Sequence, residues 1–231
     1  QPLPECRNCY KQEQHGLESM RIRENYKVAI FTEQAFDQSF EQSEWKKEFE
    51  SNTNTLPIDW HIDFGNECNL ACKMCHPGAS SKIANLYSQW DIEYTKKSNW
   101  VNDEKSWRQF LSNIEMTTDL HRLHIMGGEP TVNKKFHSFI DWLISNSLTN
   151  FGFSFVTNGA KLDSELLAKL KNFREVDIEI SVESTGPTND YVRQGGNYIE
   201  TWDTIERLTK HQTENFKIVL RSVPQLLTIN T

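Results

Sequence analysis

Cys68-Asn69-Leu70-Ala71-Cys72-Lys73-Met74-Cys75 holds three of the five cysteines of this 231-residue chain, spaced C-x3-C-x2-C. The stretch follows a predicted strand over residues 58–64, which Gly65 and Asn66 end. Several thiolates in one loop favour a soft or iron-rich centre. Three are one fewer than the four that normally hold a cubane cluster, so one position would stay open for chemistry. A structural zinc knuckle is the alternative, although its usual pattern has two paired C-x2-C arms.

Strand and helix patterns alternate from residue 57 onward. Strands are predicted at residues 58–64, 122–126, 151–156, 176–182 and 216–223, and helices at 79–94, 103–116, 134–147, 164–172 and 198–212. Asp163 is a suitable N-cap for the fourth helix, and Trp90, Trp100 and Trp107 are expected to serve packing. The β-α-β-α order predicts an α/β fold of about five units, with a parallel sheet and helices outside it.

Polar and glycine-rich residues follow the predicted strands. After the cysteine loop of the first strand come Gly127-Gly128-Glu129-Pro130, Thr157-Asn158-Gly159 and Ser181-Val182-Glu183-Ser184. Ligand groups gather at the C-terminal ends of parallel strands, so these residues are expected to share one rim. Glycines let the backbone approach a ligand closely, and Ser181 and Glu183 would share one strand face. Ordinary turns at the glycines, and a solvated side chain at Arg193, are the alternatives that the residues leave open.

The cysteine motif together with Gly127-Gly128-Glu129-Pro130 resembles the radical S-adenosylmethionine (SAM) superfamily, from about residue 57 to the end of the chain. The resemblance implies a partial (β/α)6-type TIM barrel, here truncated to about five βα units. It also implies a [4Fe-4S] cluster held by Cys68, Cys72 and Cys75, whose fourth iron binds the amine and carboxylate of SAM. Met74 departs from the family, many members of which have an aromatic residue there, but a thioether can still pack on adenine.

The same resemblance places further cofactor-binding residues on the rim: Gly127, Gly128, Glu129, Pro130, Thr157, Asn158, Ser181, Glu183 and Arg193. The backbone of the glycine motif would meet the SAM amine, with Glu129 shaping that contact. Glu183 would accept hydrogen bonds from the ribose hydroxyls. The Arg193 guanidinium would bind the SAM carboxylate, a geometry that suits arginine.

Residues 1–55 are expected to form a small helical appendage to the core of residues 56–231. They contain a C-x2-C pair, Cys6 and Cys9, a polar helix at residues 10–25 interrupted by Gly16, and an amphipathic helix within residues 33–50. Alone, the pair could be half a zinc site, a redox pair or nothing. The segment resembles the twitch or SPASM-type segment that precedes the core in some, often phage-related, members. That implies a second iron–sulfur cluster, which two cysteines cannot complete, so further ligands would lie before Gln1 or after Thr231.

Composition narrows the class of protein. A net charge of −7 argues against a large nucleic-acid footprint, and no apolar run reaches membrane-spanning length. No signal peptide is visible. An odd, clustered set of cysteines indicates a reducing compartment such as the cytoplasm. The chain does not start with Met and ends within a predicted strand region, so we expect it to be a piece of a longer protein.

The expected function is that of a radical SAM enzyme. By resemblance, the reduced cluster cleaves SAM to methionine and a 5′-deoxyadenosyl radical, which takes a hydrogen atom from a substrate. A flavodoxin or ferredoxin would supply the electron. A peptide or protein is the expected substrate, because many relatives with such an appendage modify ribosomally made peptides. A small molecule such as a nucleotide or sugar, or a catalytically silent iron–sulfur binding module, are the alternatives.

Overall fold

The computed structural model describes residues 7–20, 22, 57–95, 99–117, 119–223 and 225–228. The chain divides into two compact units, Gln1–Thr55 and Leu56–Thr231. No helix in the described part of the chain is both long enough and apolar enough to cross a membrane.

In the first unit, helix α1 spans Arg7–Gln14. It ends before Gly16, whose φ of 71° is the left-handed conformation common at helix ends. The interruption predicted at Gly16 is therefore a helix end. Cys9 lies in α1 as a half-buried free thiol. Cys6 and the predicted helix within residues 33–50 lie outside the described residues.

The second unit is built on five parallel strands in the order β1-β2-β3-β4-β5. The strands are β1 Asp59–Asp63, β2 Arg122–Met126, β3 Gly152–Thr157, β4 Glu175–Ser181 and β5 Phe216–Arg221. Each strand pairs with the next one along the chain, so the sheet is the open run of strands expected of a partial barrel. This confirms the predicted fold class.

In the described part of the second unit, six helices connect or follow the strands. They are α2 Ser81–Gln89, α3 Glu104–Met116, α4 Lys134–Ser145, α5 Ser164–Leu170, α6 Gly186–Val192 and α7 Tyr198–Thr209. Short 3₁₀ turns at Trp100–Asn102 and Pro130–Val132 precede α3 and α4. As predicted, Asp163 caps α5 by accepting a hydrogen bond from Leu166 N. Helix α6 was not predicted, and α2 is shorter than the predicted helix at residues 79–94.

The two faces of the sheet differ in chemistry. In β4, Val176, Ile178 and Ile180 are buried in the core, which also contains residues of α3, α4, α5 and α7. The same core contains Trp107, and Trp100 packs against it, as predicted. Trp90 does not: it is 64% exposed, because α2 ends there and the chain turns away through Asp91 at φ 54°.

The opposite face carries charged and polar pairs that cross neighbouring strands. Arg122 donates to Asp59, Lys217 to Glu175, and Arg221 to Glu179. The C-terminal ends of these strands lead into the loops of the candidate site.

Candidate functional site

A cavity of about 310 Å³ opens at the C-terminal ends of the strands. Its walls come from the cysteine loop, the ends of β2, β3 and β4, and the residue that follows α6. It is lined by Cys68, Leu70, Cys72, Met74, Cys75, His76, Ala79, Ser80, Gly128, Glu129, Val156, Thr157, Asn158, Ser181, Glu183, Arg193 and Val223. The structure thus brings all three loop cysteines together with most of the residues predicted on the rim. Gly127 and Pro130, both described, lie outside this lining.

The cysteine loop, residues 68–75, is held by backbone contacts on the side facing α6. Ala71 N donates to Gln194 O at 2.9 Å, and Lys73 N donates to Val192 O at 2.8 Å. At the start of α2, Ser80 Oγ donates to Leu70 O at 2.7 Å while also capping the helix. The protein therefore gives this loop a defined shape through its own hydrogen bonds.

The three loop thiols are partly withdrawn from water. Cys72 is buried, and Cys68 and Cys75 are half-buried. Burial raises the pKa of all three thiols, that of Cys68 to about 11, while the Arg193 guanidinium acts to lower the pKa of Cys72 and Cys75. The thiols are consequently protonated near neutral pH, so metal binding must release protons.

The three cysteines are a ligand set that a [4Fe-4S] cluster can use. All three line the same cavity. In such a cluster each thiolate binds its own iron, so three thiols on one cavity wall fit that group.

The glycine turn after β2 is shaped by the loop that follows β1. Gly127 and Gly128 have positive φ angles of 91° and 54°. A Cβ at Gly127 would fall within 3.0 Å of Asp63 Oδ1, and one at Gly128 within 3.0 Å of Glu67 O. Glu129 N also donates to Glu67 O at 2.8 Å. The glycines therefore leave room for the end of β1 and for Glu67, which precedes the cysteine loop.

The Glu129 side chain accepts hydrogen bonds from other residues of the rim. Glu129 is only 1% exposed. Oε1 accepts from Thr131 N at 3.2 Å, Thr131 Oγ1 at 2.7 Å and Thr157 Oγ1 at 2.7 Å, and Oε2 accepts from Asn158 N at 2.5 Å. Burial raises the pKa of Glu129, and these hydrogen bonds act in the opposite direction. The carboxylate joins the end of β2 to the end of β3.

Glu183 and Arg193 form a buried ion pair on the cavity wall. Arg193 Nη1 lies 3.0 Å from Glu183 Oε1, and the two side chains are 11% and 3% exposed. Glu183 Oε2 also accepts from Val223 N at 2.6 Å. β4 ends at Ser181, so Glu183 lies just beyond the strand rather than on its face as predicted, and Asn189 of α6 accepts a hydrogen bond from its backbone N.

Several lining residues were missed by sequence reasoning. Leu70, Val156 and Val223 supply apolar surface, and Ala79 and Ser80 come from the turn before α2. His76 also lines the cavity, with Nδ1 placed to accept from Gly78 N at 3.2 Å. The only available signal was adjacency to Cys75 for His76 and the cap position for Ser80; the others resemble ordinary core residues.

Comparisons with known proteins identify the family to which the chain belongs. A family model described as the radical SAM superfamily matches residues 62–224. Mycofactocin maturase MftC of Mycobacterium ulcerans is 27% identical over 152 residues, which cover 65% of this chain and 36% of that protein. The sporulation killing factor maturation protein SkfB of Bacillus subtilis is 24% identical over 159 residues, covering 67% and 33%. The chain thus spans about a third of the length of these curated relatives.

A solved structure shares the fold. Streptococcus suis SuiB bound to the precursor peptide SuiA aligns with a TM-score of 0.52 and 13% identity, over 97% of this chain and 48% of that one. At this level of identity the likeness concerns the fold alone.

Proposed function

The chain belongs to the radical SAM superfamily, and on that premise we propose that Cys68, Cys72 and Cys75 hold a [4Fe-4S] cluster whose open iron binds SAM in the cavity above the sheet. The observation that carries the proposal is that all three thiols line one cavity with Gly128, Ser181 and the Glu183–Arg193 pair. When bound, the cluster and SAM supply a reductive carbon–sulfur cleavage that yields methionine and a hydrogen-abstracting 5′-deoxyadenosyl radical.

The residues of the cavity divide into those that can hold SAM and those that orient them. Arg193 uses one of the five N–H donors of its guanidinium on Glu183, so others remain for the SAM carboxylate. Met74 offers a thioether surface for adenine, and the backbone at Gly128 is open to the SAM amine. Ser181 and Glu183 are the candidates for the ribose hydroxyls.

Apolar residues of the same cavity limit access of water. Leu70, Val156 and Val223 line it beside the polar groups. Exclusion of water and of stray hydrogen donors protects a reactive radical, which is the part of such chemistry that a protein scaffold supplies.

We further propose a peptide or protein substrate for the whole protein. Two relatives are named for maturation, and the structure of SuiB holds a precursor peptide. The Cys6/Cys9 segment would belong to an auxiliary iron–sulfur site completed by other residues. Reduced iron–sulfur chemistry needs a reducing compartment, so we place the protein in the cytoplasm, with a flavodoxin or ferredoxin as electron donor.

Anaerobic reconstitution tests the proposal. The chain, loaded with iron and sulfide and reduced with dithionite, should convert SAM to 5′-deoxyadenosine, measured by liquid chromatography and mass spectrometry. Cys72→Ala should lose the cluster absorbance and the product, because it removes one of the three ligands. Trp90→Ala, which changes an exposed side chain outside the cavity lining, is the control and should retain both the cluster and the cleavage.

Two results would reject the proposal. Unchanged iron and sulfide content in Cys72→Ala would remove that residue from the ligand set. A reconstituted wild-type chain that binds SAM but leaves it intact would favour a silent iron–sulfur module instead.

A further inference from the structure

The cysteine loop meets the end of β3 through a pair of amide side chains. Asn158 Nδ2 donates to Asn69 Oδ1 at 2.8 Å, joining residues 89 positions apart. Asn69 lies between the proposed ligands Cys68 and Cys72. Asn158 is only 5% exposed and lines the cavity. The pair therefore connects the segment that would hold the cluster to the wall that would face SAM.

The direction of this hydrogen bond is fixed by the backbone. Asn158 Oδ1 accepts from Ala160 N at 3.0 Å, so its amide oxygen is turned away from the loop. Its Nδ2 must then face Asn69, which has to present its oxygen. Asn158 is the donor and Asn69 the acceptor, an assignment that does not depend on a free choice of amide orientation.

Asn158 is also held in place through its backbone. Its backbone N donates to Glu129 Oε2 at 2.5 Å, and Glu129 Oε1 also binds the hydroxyls of Thr131 and Thr157. A continuous run of hydrogen bonds therefore leads from the turn after β2, through Asn158, to the cysteine loop. The opposite side of the loop is fixed by the backbone bonds of Ala71 and Lys73.

We propose that Asn69 and Asn158 are a positioning pair that sets the cysteine loop against the SAM-facing rim. The inference rests on the proposed function, because it concerns the placement of the cluster relative to SAM. The amide oxygens of both residues and one Asn158 N–H form hydrogen bonds within the chain. The pair therefore acts by holding the loop and the rim in place. Without it, the loop keeps its contacts near α6 but loses its fixed distance from the end of β3.

Substitutions at the pair have a donor–acceptor signature. Asn69→Ala and Asn158→Ala should each weaken SAM binding to the reconstituted chain about tenfold, which corresponds to about 1.4 kcal/mol. The double variant should be little worse than either single one, because both remove the same hydrogen bond. Asn69→Asp keeps an acceptor oxygen and should bind SAM far better than Asn69→Ala. Asn158→Leu removes the Nδ2 donor at a similar side-chain size and should be as defective as Asn158→Ala.

Asn133→Ala is the matched control for a purely structural effect. Asn133 is also 5% exposed, its Oδ1 accepts from the backbone N two residues on, at 2.8 Å, and its Nδ2 reaches Phe64 O at 3.4 Å. It does not line the cavity. Its loss should lower thermal stability about as much as Asn158→Ala while leaving the SAM dissociation constant unchanged.

Two further readouts separate this inference from the proposed function. The electron paramagnetic resonance signal of the reduced cluster should shift on SAM addition in the wild type and less in the alanine variants. In the metal-free chain, Cys68 and Cys72 should react with iodoacetamide several-fold faster in both alanine variants than in Asn133→Ala, as mapped by mass spectrometry.

The outcomes are distinct. Failure of the wild type to bind cluster or SAM would reject the proposed function, and the alkylation rates would still decide whether the pair holds the loop. A wild type that binds SAM, with variants that match it in affinity, spectrum and alkylation rate, would overturn the positioning pair.

Discussion

The turn at Gly128 can be tested with a variant pair that separates backbone strain from steric fit. Gly128 has φ 54°, and an added Cβ would fall within 3.0 Å of Glu67 O. Gly186 has nearly the same φ, 52°, but nothing lies within 4 Å of its Cβ position. Both glycines lie in the second unit. Alanine at either site therefore incurs the same left-handed strain, while only Gly128→Ala must also displace Glu67, which precedes the cysteine loop.

The magnitudes follow from these contacts. Left-handed strain costs an L-residue about 1–2 kcal/mol, so Gly186→Ala should lower the unfolding free energy by about that amount. Gly128→Ala should also disturb the hydrogen bond from Glu129 N to Glu67 O. Leaving that donor unsatisfied adds about 1–3 kcal/mol, for a total of about 2–5 kcal/mol.

Urea unfolding of the metal-free, reduced chain measures both losses under one condition. Gly128→Ala should also reconstitute with less iron, because the displaced residue Glu67 immediately precedes the proposed ligand Cys68. Gly186→Ala should reconstitute normally. Equal losses of stability in the two variants, with equal iron content, would refute the reasoning that Glu67 shapes the glycine turn.

Three further predictions concern charge and substrate. Burial raises the pKa of Cys68 from 9.0 to about 11, so the unfolded chain loses this proton first. This titration should lower the unfolding free energy of the metal-free chain by about 2 kcal/mol between pH 9 and 11. Urea titrations at the two pH values should show a smaller fall for Cys68→Ala. Arg193→Ala should weaken SAM binding while keeping the cluster, and an unchanged SAM affinity would remove Arg193 from the site. The same variant should destabilise the chain, because it leaves buried Glu183 without its cation. Adding Glu183→Gln should restore stability. A deuterated peptide substrate of the whole protein should transfer deuterium into 5′-deoxyadenosine. Transfer only from a nucleotide or sugar would contradict a peptide substrate.

The parts of the fold that the sequence predicted well are those that depend on local signals. Apolar runs of β-branched and aromatic residues identified the five strands to within two residues, and Asp163 fixed the start of α5. The end of α2 was misjudged because residues 90–94 continue a plausible helical pattern. The helix instead ends at Gln89, after which Trp90 is exposed and Asp91 adopts a left-handed φ of 54°. Helix α6 was missed because Gly186-Pro187 at its start reads as a turn.

It was easier to predict which residues lie close together on the rim than which groups they bind. A polar residue at the end of a parallel strand is close to its neighbours whatever it binds, so strand order alone brings Glu129, Thr157 and Asn158 together. Which groups they bind depends on side-chain geometry that no spacing encodes. The Glu129 carboxylate, expected to shape the SAM contact, accepts hydrogen bonds from Thr131, Thr157 and Asn158, and the sequence does not reveal these partners.

Hydrogen-bonding capacity distinguishes the residues that remain available for a ligand. Thr157 donates to Glu129 and accepts from Gly159 N, so its hydroxyl has little left to offer. Arg193 uses one N–H of five on Glu183, and Ser181 Oγ has no hydrogen-bond partner among the described residues. If SAM binds here, its polar groups should therefore depend on Arg193 and Ser181 directly and on Thr157 only through the rim. Ser181→Ala should then weaken SAM binding without loss of stability, whereas Thr157→Val should lower stability first; the reverse order, measured by titration and thermal unfolding, would contradict this division.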